Sequence, residues 1–348
     1  MIEREALAHL VGSWGPVLDV APLHGDGSSR CFYRVWGATG TRVLLVGPDP
    51  DENAATVRVA RHLGNRGVRV PRVHAVDAAR GWILLDDLGD RNLWTARQQC
   101  RGLDEVLELY GPVLELLVRM QVRGARGFDL AVGFAWAPYG RETMIEAEGL
   151  YFAAEFAGGV LGLEVPAGFL SDLARLADIA AAAPAVYFLH RDFQSRNIQM
   201  TEAGPYVIDF QGARPGPLAY DAAALILDPY VGHSQAARAR LLSDYLRRLE
   251  EEGVDSGPVS RSWLALGTFR LLQALGAYGK LGGRLGKPGF LEHAGCALDL
   301  LVEHLGEWGA AEWPSLWAVA TQARDRWRRR SAGLRSPAAG GNARAPGA

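Results

Sequence analysis

Cysteines and long apolar runs are both scarce in this chain of 348 residues. The three cysteines, Cys31, Cys100 and Cys296, are odd in number and far apart, so they have no metal-site spacing and indicate a reducing compartment. No apolar run approaches the length of a membrane span. The charged start, residues 1–5, lacks the apolar core of a signal peptide, so we expect a cytoplasmic protein.

An excess of charge of either sign is also lacking. The chain has 37 Lys and Arg residues against 39 Asp and Glu residues, which gives a formal net charge of −2. This balance argues against nucleic-acid and membrane-surface partners. With 49% hydrophobic residues, the chain can bury a real core in one large domain or two lobes, and we expect a monomer.

The polar segment at residues 190–210 is the part of the sequence that most specifically indicates a chemical function. Residues 198–201 are predicted to form a strand and residues 205–208 its antiparallel return, with residues 202–204 as the turn. Asn197 and Asp209 flank this hairpin and should be neighbours, because the start of one strand lies beside the end of the other. An amide oxygen next to a carboxylate suits Mg²⁺ bound together with nucleotide phosphates.

Asp192 lies five residues before Asn197, on the loop that leads into the hairpin. From there its carboxylate could accept a proton from a substrate hydroxyl. The alternative is an ordinary hairpin whose turn residues are polar by chance. The chain contains few His and Asn residues, which makes such a set uncommon by chance, so we favour phosphoryl transfer.

Periodicity divides the chain into two lobes and a tail. The first lobe, residues 1–87, has one predicted helix at 54–64 and predicted strands at 29–36, 41–46, 68–73 and 82–85. The second lobe, residues 88–330, is mostly helical, for example at 104–122, 238–252 and 261–281. The tail, residues 331–348, is predicted to be disordered.

This layout predicts an α+β fold of the two-lobed, protein-kinase-like type. The small β-rich N-lobe would bind a nucleotide. The larger helical C-lobe would carry the catalytic loop, the metal hairpin and the acceptor pocket.

The chain resembles the aminoglycoside phosphotransferase and choline kinase superfamily over nearly its whole length. Four stretches show the resemblance: His24–Arg30, Leu84–Asp90, residues 190–210 and Gly216–Asp221. Within the superfamily it is most similar to the bacterial anomeric sugar kinases that act on N-acetylmuramate and N-acetylglucosamine. A fifth stretch, Leu272–Tyr278 with Gly286-Lys287-Pro288 after it, favours that branch.

The resemblance implies a role for each polar residue of the 190–210 core. Asp192 would be the catalytic base, while Asn197 and Asp209 would hold Mg²⁺. His190 and Arg191 would support the catalytic loop without touching substrate.

Asp221 would accept hydrogen bonds from the backbone of the catalytic loop, as its counterpart does in kinase-like folds. The alternative is a helix N-cap before Ala222. The two roles are compatible.

The nucleotide is expected to bind at two places in the N-lobe. The Gly-rich turn would bring backbone N–H groups close to phosphates, although a plain hairpin turn would look similar. It comprises Gly25, Asp26, Gly27, Ser28, Ser29 and Arg30. The backbone of Asp86, Asp87 and Leu88, where the lobes join, would bond an adenine edge. We expect ATP, with GTP as an open alternative.

Lysine is absent from the predicted N-lobe, since the chain contains only Lys280 and Lys287. Kinase-like folds usually have a strand lysine that contacts phosphates and pairs with a helix glutamate. Here the corresponding strand is 42–46, and Thr56 occupies the expected glutamate position. Replacement of the lysine by Arg30, Arg34 or Arg42 is one hypothesis, and surface arginines are the alternative.

Only a short loop, residues 210–219, separates Asp209 from Asp221, which leaves no room for a long activation segment. A small-molecule acceptor with a hydroxyl group is therefore expected instead of a protein. Candidate acceptor contacts are Gln194, Arg196, Asp228, Tyr230 and Glu142. Three aromatic residues, Trp136, Tyr151 and Phe152, would either stack on a sugar ring or lie in the core.

We therefore expect a Mg²⁺- and nucleotide-dependent kinase that acts on the anomeric hydroxyl of an amino sugar. One alternative is an aminoglycoside or other hydroxylated-amine phosphotransferase, whose cationic acceptor would favour an acidic pocket. The second is a nucleotide-binding pseudokinase, suggested by the missing lysine.

Overall fold

The computed structural model describes residue 2 and residues 4–23, 30–134 and 137–335. The N-terminal part is a five-stranded antiparallel sheet in the order β1-β2-β3-β5-β4. Its strands are β1 (Val17–Leu23), β2 (Cys31–Gly37), β3 (Gly40–Val46), β4 (Val73–Asp77) and β5 (Trp82–Asp86). Two helices accompany the sheet, α1 (Arg4–Val11) and α2 (Pro50–Gly64).

The sheet is buried on both faces because successive residues of a strand point to opposite sides. Leu44 and Leu84 belong to the apolar cluster that the sheet forms with α1. Leu45 and Ile83, their neighbours in sequence, belong to the cluster that includes Val57 of α2. The two helices therefore hold the sheet from both sides.

Helix α2 begins where Asp49 caps it. The Asp49 carboxylate accepts hydrogen bonds from the N–H groups of Asp51 and Glu52, at 2.9 and 3.1 Å, and Pro50 occupies the first helical turn. This start places Glu52 in the first turn of α2, at the wall of the cavity described below.

The remainder of the described chain is mostly helical, with two small antiparallel pairs of strands. The helices are α3 (Leu93–Arg97), α4 (Leu103–Gly124), α5 (Arg141–Met144), α6 (Gly168–Ala181), α7 (Leu218–Ile226), α8 (Gln235–Glu251), α9 (Gly257–Tyr278), α10 (Ala294–Gly306) and α11 (Pro314–Arg335). The π-helical segments are Ile145–Leu150, Phe152–Gly158 and Gly279–Arg284. The strands are β6 (Tyr187–Leu189), β7 (Ile198–Thr201), β8 (Gly204–Val207) and β9 (Arg214–Gly216).

Backbone hydrogen bonds join the hairpin β7–β8 to the segment between α2 and β4 and to the segment between β5 and α3. Ile198 pairs with Val207 inside the hairpin. The N–H of Val207 donates to the carbonyl of Arg69 at 3.0 Å, and the N–H of Met200 donates to the carbonyl of Arg91 at 2.8 Å. The hairpin is thus held on both sides by backbone hydrogen bonds.

The predicted strand at residues 68–73 is wrong, because β4 begins only at Val73. Val68 and Val70 are buried, so their alternation arises from packing and not from a sheet ladder. Pro71 has no N–H to donate to a neighbouring strand.

The other predicted elements are confirmed, with small shifts at their ends, and so is the α+β class. The first lobe has two helices and not the one expected, since neither α1 nor β1 was predicted. Helix α11 continues through residues 331–335 to Arg335, and residues 336–348 of the predicted tail lie outside the described residues. Among the described residues, no helix is both long and apolar enough to cross a membrane.

Candidate active site

A cavity of about 940 Å³ lies between the sheet and the helical part, and residues of both line it. Val43, Leu45 and Leu85 line it from the sheet, while Ile208 and Phe210 line it from the segment after the hairpin. Apolar side chains from two sides suit the faces of a flat heterocyclic base.

The cavity brings together most of the residues that the sequence indicated. Those that line it are Arg30, Arg34, Asp86, Asp87, Leu88, Asp192, Gln194, Arg196, Asn197, Asp209 and Tyr230.

Other candidates lie elsewhere. Glu142 is exposed and does not line the cavity, and Phe152 lies in the core. Tyr151 packs against the backbone of Gly276, where an added Cβ would lie 2.5 Å from its ring. Residues 24–29, which include Gly25, Asp26, Gly27, Ser28 and Ser29, and also Trp136, lie outside the described residues.

The buried carboxylate of Asp221 holds the backbone of the catalytic loop. It accepts hydrogen bonds from the N–H groups of His190 and Arg191, at 2.7 and 2.9 Å. Burial raises the pKa of Asp221 to about 6, although these two hydrogen bonds oppose the shift. Since α7 begins at Leu218, Asp221 lies inside the helix and is not its N-cap.

The ring of His190 joins the catalytic loop to the hairpin. Its Nε2 donates to the carbonyl of Ile208 at 2.9 Å, and its Nδ1 accepts from the N–H of Asp192 at 3.2 Å. Both contacts fit a single tautomer of the ring, with the hydrogen on Nε2.

Arg191 points into a buried polar cluster. It is one of two non-glycine residues with positive φ among those described, at 76°, and its guanidinium lies 3.7 Å from the Glu148 carboxylate. Glu148 is fully buried and accepts hydrogen bonds of 2.6 Å from the hydroxyls of Tyr139 and Tyr220. Burial raises the pKa of Glu148 to about 7, and attraction by Arg191 limits that rise. The cluster thus holds the loop in a strained backbone conformation.

Asp192 presents its carboxylate to the cavity, with 45% of the side chain exposed. The guanidinium of Arg270, on α9, lies 3.8 Å from that carboxylate and is almost completely buried. Arg270 also donates to Gln273 at 2.5 Å and to Gln194 at 3.0 Å. The buried guanidinium of Arg270 therefore attracts the carboxylate of Asp192 and orients it.

Asn197 and Asp209 supply a donor set that fits Mg²⁺. The amide nitrogen of Asn197 donates to the carbonyl of Asp192 at 3.0 Å, so the amide oxygen is the atom that can take a cation. Asp209 has positive φ, 66°, and its carboxylate lines the same cavity. No cluster of three or more His, Cys, Asp or Glu residues that could hold a metal occurs in the described part of the chain. Mg²⁺ in kinases commonly binds one or two side chains and the substrate phosphates, so two ligands are sufficient.

Arg30 connects the N-terminal part to this metal site. Its guanidinium forms an ion pair with Asp209 and lies 3.6 Å from the carboxylate of Glu52 on α2. The sequence analysis placed the expected glutamate position at Thr56. The helix carboxylate that pairs with Arg30 is instead that of Glu52, one turn earlier in α2.

The other two candidate arginines have different contacts. Arg42 stacks on the ring of Trp14, 4.6 Å from its centroid, and does not line the cavity. Arg34 binds Asp87 through Nε at 2.6 Å and Asp90 through Nη2 at 2.9 Å. Burial raises the pKa of Asp87, but the hydrogen bonds from Arg34 outweigh it and leave that pKa below its ordinary value.

The carboxylates of Asp86 and Asp87, where the lobes join, are both hydrogen-bonded to other residues of the protein. Asp86 accepts hydrogen bonds from His74 Nε2 at 2.6 Å and from the N–H of Arg72 at 2.9 Å. Strand β5 ends at Asp86, so the peptide groups of Asp87 and Leu88 lie beyond the sheet ladder, at the cavity wall. Backbone contact with a base edge remains the expected role for this segment.

Asp228 is buried and organises the far end of the cavity without lining it. Its carboxylate accepts hydrogen bonds from the N–H groups of Ser195 and Tyr230, at 2.8 and 2.9 Å. Tyr230 and Arg196 do line the cavity there, together with Trp94.

Sequence reasoning missed Arg270, Glu52 and Glu148. Arg270 offered a signal, because it interrupts a helix that is apolar on nearly every side. Glu52 and Glu148 offered none, since acidic residues in a helical pattern are usually exposed.

The model of the phosphotransferase enzyme family matches residues 19–259 of the chain. The N-acetylmuramate/N-acetylglucosamine kinase of Pseudomonas aeruginosa is 30% identical over 289 residues, which cover 80% of this chain and 82% of that protein.

Two solved structures share the fold at low identity. The choline kinase from Cryptosporidium parvum gives a TM-score of 0.60 at 14% identity and covers 92% of this chain and 100% of its own. The aminoglycoside phosphotransferase APH(4)-Ia, in a ternary complex with ADP and hygromycin B, gives 0.54 at 16% identity, with coverage of 86% and 97%.

Proposed function

Because the chain belongs to the phosphotransferase enzyme family, we propose that it transfers the γ-phosphate of Mg²⁺-bound ATP to a hydroxyl group of an amino sugar. Membership confirms the predicted family and makes the protein a small-molecule kinase. The anomeric hydroxyl of N-acetylmuramate or N-acetylglucosamine is the favoured acceptor, since relatives of about 30% identity are named as kinases of these sugars.

The arrangement of Asp192, Asn197 and Asp209 around one cavity carries this proposal. Asp192 accepts the proton of the acceptor hydroxyl. The hydroxyl oxygen forms a bond to the γ-phosphorus while the bond between the γ-phosphorus and the β-phosphate oxygen breaks. Arg270 keeps the Asp192 carboxylate oriented toward the acceptor. Asn197 and Asp209 would hold Mg²⁺, which neutralises phosphate charge when bound.

The ion pairs of the cavity disfavour an aminoglycoside, because a polycationic acceptor calls for several carboxylates without a cationic partner. Six carboxylates are among the described lining residues, and each lies beside a basic side chain: Glu52 and Asp209 beside Arg30, Asp87 and Asp90 beside Arg34, Asp86 beside His74, and Asp192 beside Arg270. The pseudokinase alternative is disfavoured because base and metal-ligand candidates line the cavity together. Three free thiols and a nucleotide substrate support a cytoplasmic site of action.

A panel of acceptors tests the proposal. With ATP and Mg²⁺, we expect phosphorylation of N-acetylmuramate and N-acetylglucosamine but not of kanamycin, and nuclear magnetic resonance of the product should locate the phosphate on the anomeric oxygen. Asp192→Asn should lower kcat about a hundred- to ten-thousand-fold, because it removes the base. Asp104→Asn, at an exposed position of α4, is the matched control.

Each rival predicts a different outcome. Phosphorylation of kanamycin but not of the sugars would establish the aminoglycoside alternative. ATP binding without turnover of any acceptor would establish the pseudokinase. Turnover that survives Asp192→Asn would show that another group is the base.

A further inference from the structure

One buried arginine organises three polar side chains of the cavity. Arg270, on α9, is 4% exposed, and its guanidinium lies 3.8 Å from the carboxylate of Asp192. The same guanidinium donates hydrogen bonds to Oε1 of Gln194 at 3.0 Å and to Oε1 of Gln273 at 2.5 Å. All three partners line the cavity, so the polar groups that an acceptor meets beside the candidate base are set by this arginine.

Arg270 determines which end of each glutamine amide faces a ligand. A guanidinium has donors only, so it binds the carbonyl oxygen of each side chain and cannot bind the amide nitrogen. The NH2 groups of Gln194 and Gln273 are therefore the ends that remain for a ligand. Within the described residues, neither nitrogen donates a hydrogen bond to the protein.

The hydrogen-bonding groups around Arg270 form a fixed pattern. The carboxylate of Asp192 accepts, whereas the amides of Gln194 and Gln273 donate without carrying charge. The matching ligand has a hydroxyl group for Asp192 and, next to that hydroxyl, an uncharged oxygen that accepts from the amides. A 2-acylamino sugar has this arrangement, since its anomeric hydroxyl and its acylated nitrogen are on neighbouring carbons and the acyl group ends in a carbonyl oxygen.

Apolar side chains lie beside these donors. Ala274 follows Gln273 on α9, and Ala277 lies one turn beyond Gln273. Both alanines line the cavity, as do Leu281 and Phe290 from the segments after α9. Small apolar side chains next to an amide donor suit the methyl group of an acetamido substituent.

We propose that Gln194 and Gln273, oriented by Arg270, bind the carbonyl oxygen of the N-acyl group of the acceptor. The inference rests on the proposed amino-sugar kinase activity and deepens it. A free amino sugar places an ammonium group there, which has no acceptor atom for the amides and is repelled by the nearby guanidinium. The enzyme then selects N-acylated amino sugars and rejects the free amines.

Comparison of N-acetylglucosamine with glucosamine tests this subsite, because the two sugars differ only in the acyl group and the charge that it removes. The kcat/KM of the wild type for N-acetylglucosamine should exceed that for glucosamine about a hundredfold or more, since the amine leaves the amide donors unpaired. Where glucosamine is phosphorylated too slowly to measure, its inhibition constant against N-acetylglucosamine gives the comparison.

Substitution of each glutamine assigns the preference to these side chains. Gln194→Met and Gln273→Met keep the length of the side chain and remove the amide, so each should lower kcat/KM for N-acetylglucosamine about tenfold. Gln273→Glu replaces the donor by a carboxylate, which should shift the preference about tenfold or more toward glucosamine. A purely structural role would not produce such a shift.

Two controls accompany these variants. Gln235→Met, at an exposed position of α8 outside the cavity lining, should keep the wild-type preference. The KM for ATP should stay unchanged in the variants of Gln194 and Gln273, because the contact is with the acceptor. Melting temperatures close to that of the wild type establish that the variants fold.

Several outcomes would overturn the subsite. Equal falls in kcat/KM for both sugars would make the glutamines supports of the catalytic loop, and a raised KM for ATP would make them phosphate contacts. A wild type that uses glucosamine as well as N-acetylglucosamine would show that the acyl group is not recognised, with the proposed function intact. If the wild type phosphorylates no amino sugar, the proposed function itself fails.

Discussion

At the residue scale, we propose that Arg30 substitutes for the missing N-lobe lysine. It connects the first turn of α2, through Glu52, with the proposed metal ligand Asp209. An arginine that shares a carboxylate with a metal ion must turn toward the phosphates when the nucleotide binds, since both cations compete for the same oxygen atoms. Arg30 is therefore expected to contribute to nucleotide affinity.

Substitution of Arg30 separates this role from a purely structural one. Arg30→Gln should weaken the binding of a fluorescent ADP analogue with Mg²⁺ about tenfold or more, because a charge-assisted contact with phosphate is lost. Arg30→Lys should restore part of the affinity. Arg42→Gln is the matched control, since Arg42 stacks on Trp14 outside the cavity. Equal affinities of the Arg30→Gln and Arg42→Gln proteins would exclude the phosphate role.

Glu148 makes stability depend on pH. Its pKa is about 7 in the folded protein against an ordinary 4.5, so folding favours its protonated form. The stabilisation that the protonated Glu148 gives to the folded protein is fully present below pH 4.5 and is lost as the pH rises through 7. Between pH 8 and pH 6, the free energy of unfolding of the wild type should therefore rise by about 1 kcal/mol relative to Glu148→Gln.

Urea denaturation at both pH values measures this difference. The control is Glu146→Gln, an exposed position of the same π-helical segment, which should keep the pH dependence of the wild type. A Glu148→Gln protein with the same pH dependence as the wild type would contradict the raised pKa.

At the scale of secondary structure, local patterns predicted β2, β3, β5, α2 and the hairpin β7–β8, but not α1 or β1. The predicted hairpin placed Asn197 and Asp209 close together. The structure contains this hairpin, in which Ile198 pairs with Val207. The strand predicted at 68–73 failed because alternating buried valines also fit an extended segment packed on the core. A ladder partner decides between the two, and pairing with β5 begins only at Val73.

Helix α9 is buried on nearly every side, and its close contacts need small residues. At the junction of α9 with the π-helical segment 279–284, a Cβ on Gly279 would lie 2.5 Å from the carbonyl carbon of Glu155 and 2.8 Å from the nitrogen of Phe156. These are backbone atoms, so the two segments must separate. Gly279→Ala should lower the free energy of unfolding by about 1–3 kcal/mol in urea denaturation.

Gly289→Ala serves as the control for this prediction, because nothing lies within 4 Å of a Cβ there. Its effect should stay within about 0.5 kcal/mol. Comparable losses in the two variants would show that the close approach of the segments is not what Gly279 provides.

At the scale of the whole molecule, the site is assembled by contacts that sequence patterns do not show. Arg30 and Asp209 are 179 positions apart, and Arg270 reaches Asp192 from a different helix. Sequence identified the residue types that phosphoryl transfer needs. It did not show which way each one faces, so the exposed Glu142 and the buried Asp228 were equally plausible acceptor contacts.

The two hydrogen bonds that hold the hairpin to Arg69 and Arg91 involve only peptide groups. Every residue except proline supplies a peptide N–H, and every residue supplies a carbonyl, so most substitutions at these four positions leave the bonds intact. The attachment of the hairpin is therefore insensitive to most side-chain changes at these four positions, while the side chains that line the cavity can vary independently of it. A scaffold of this kind can acquire new acceptors over evolutionary time without rebuilding its chemistry.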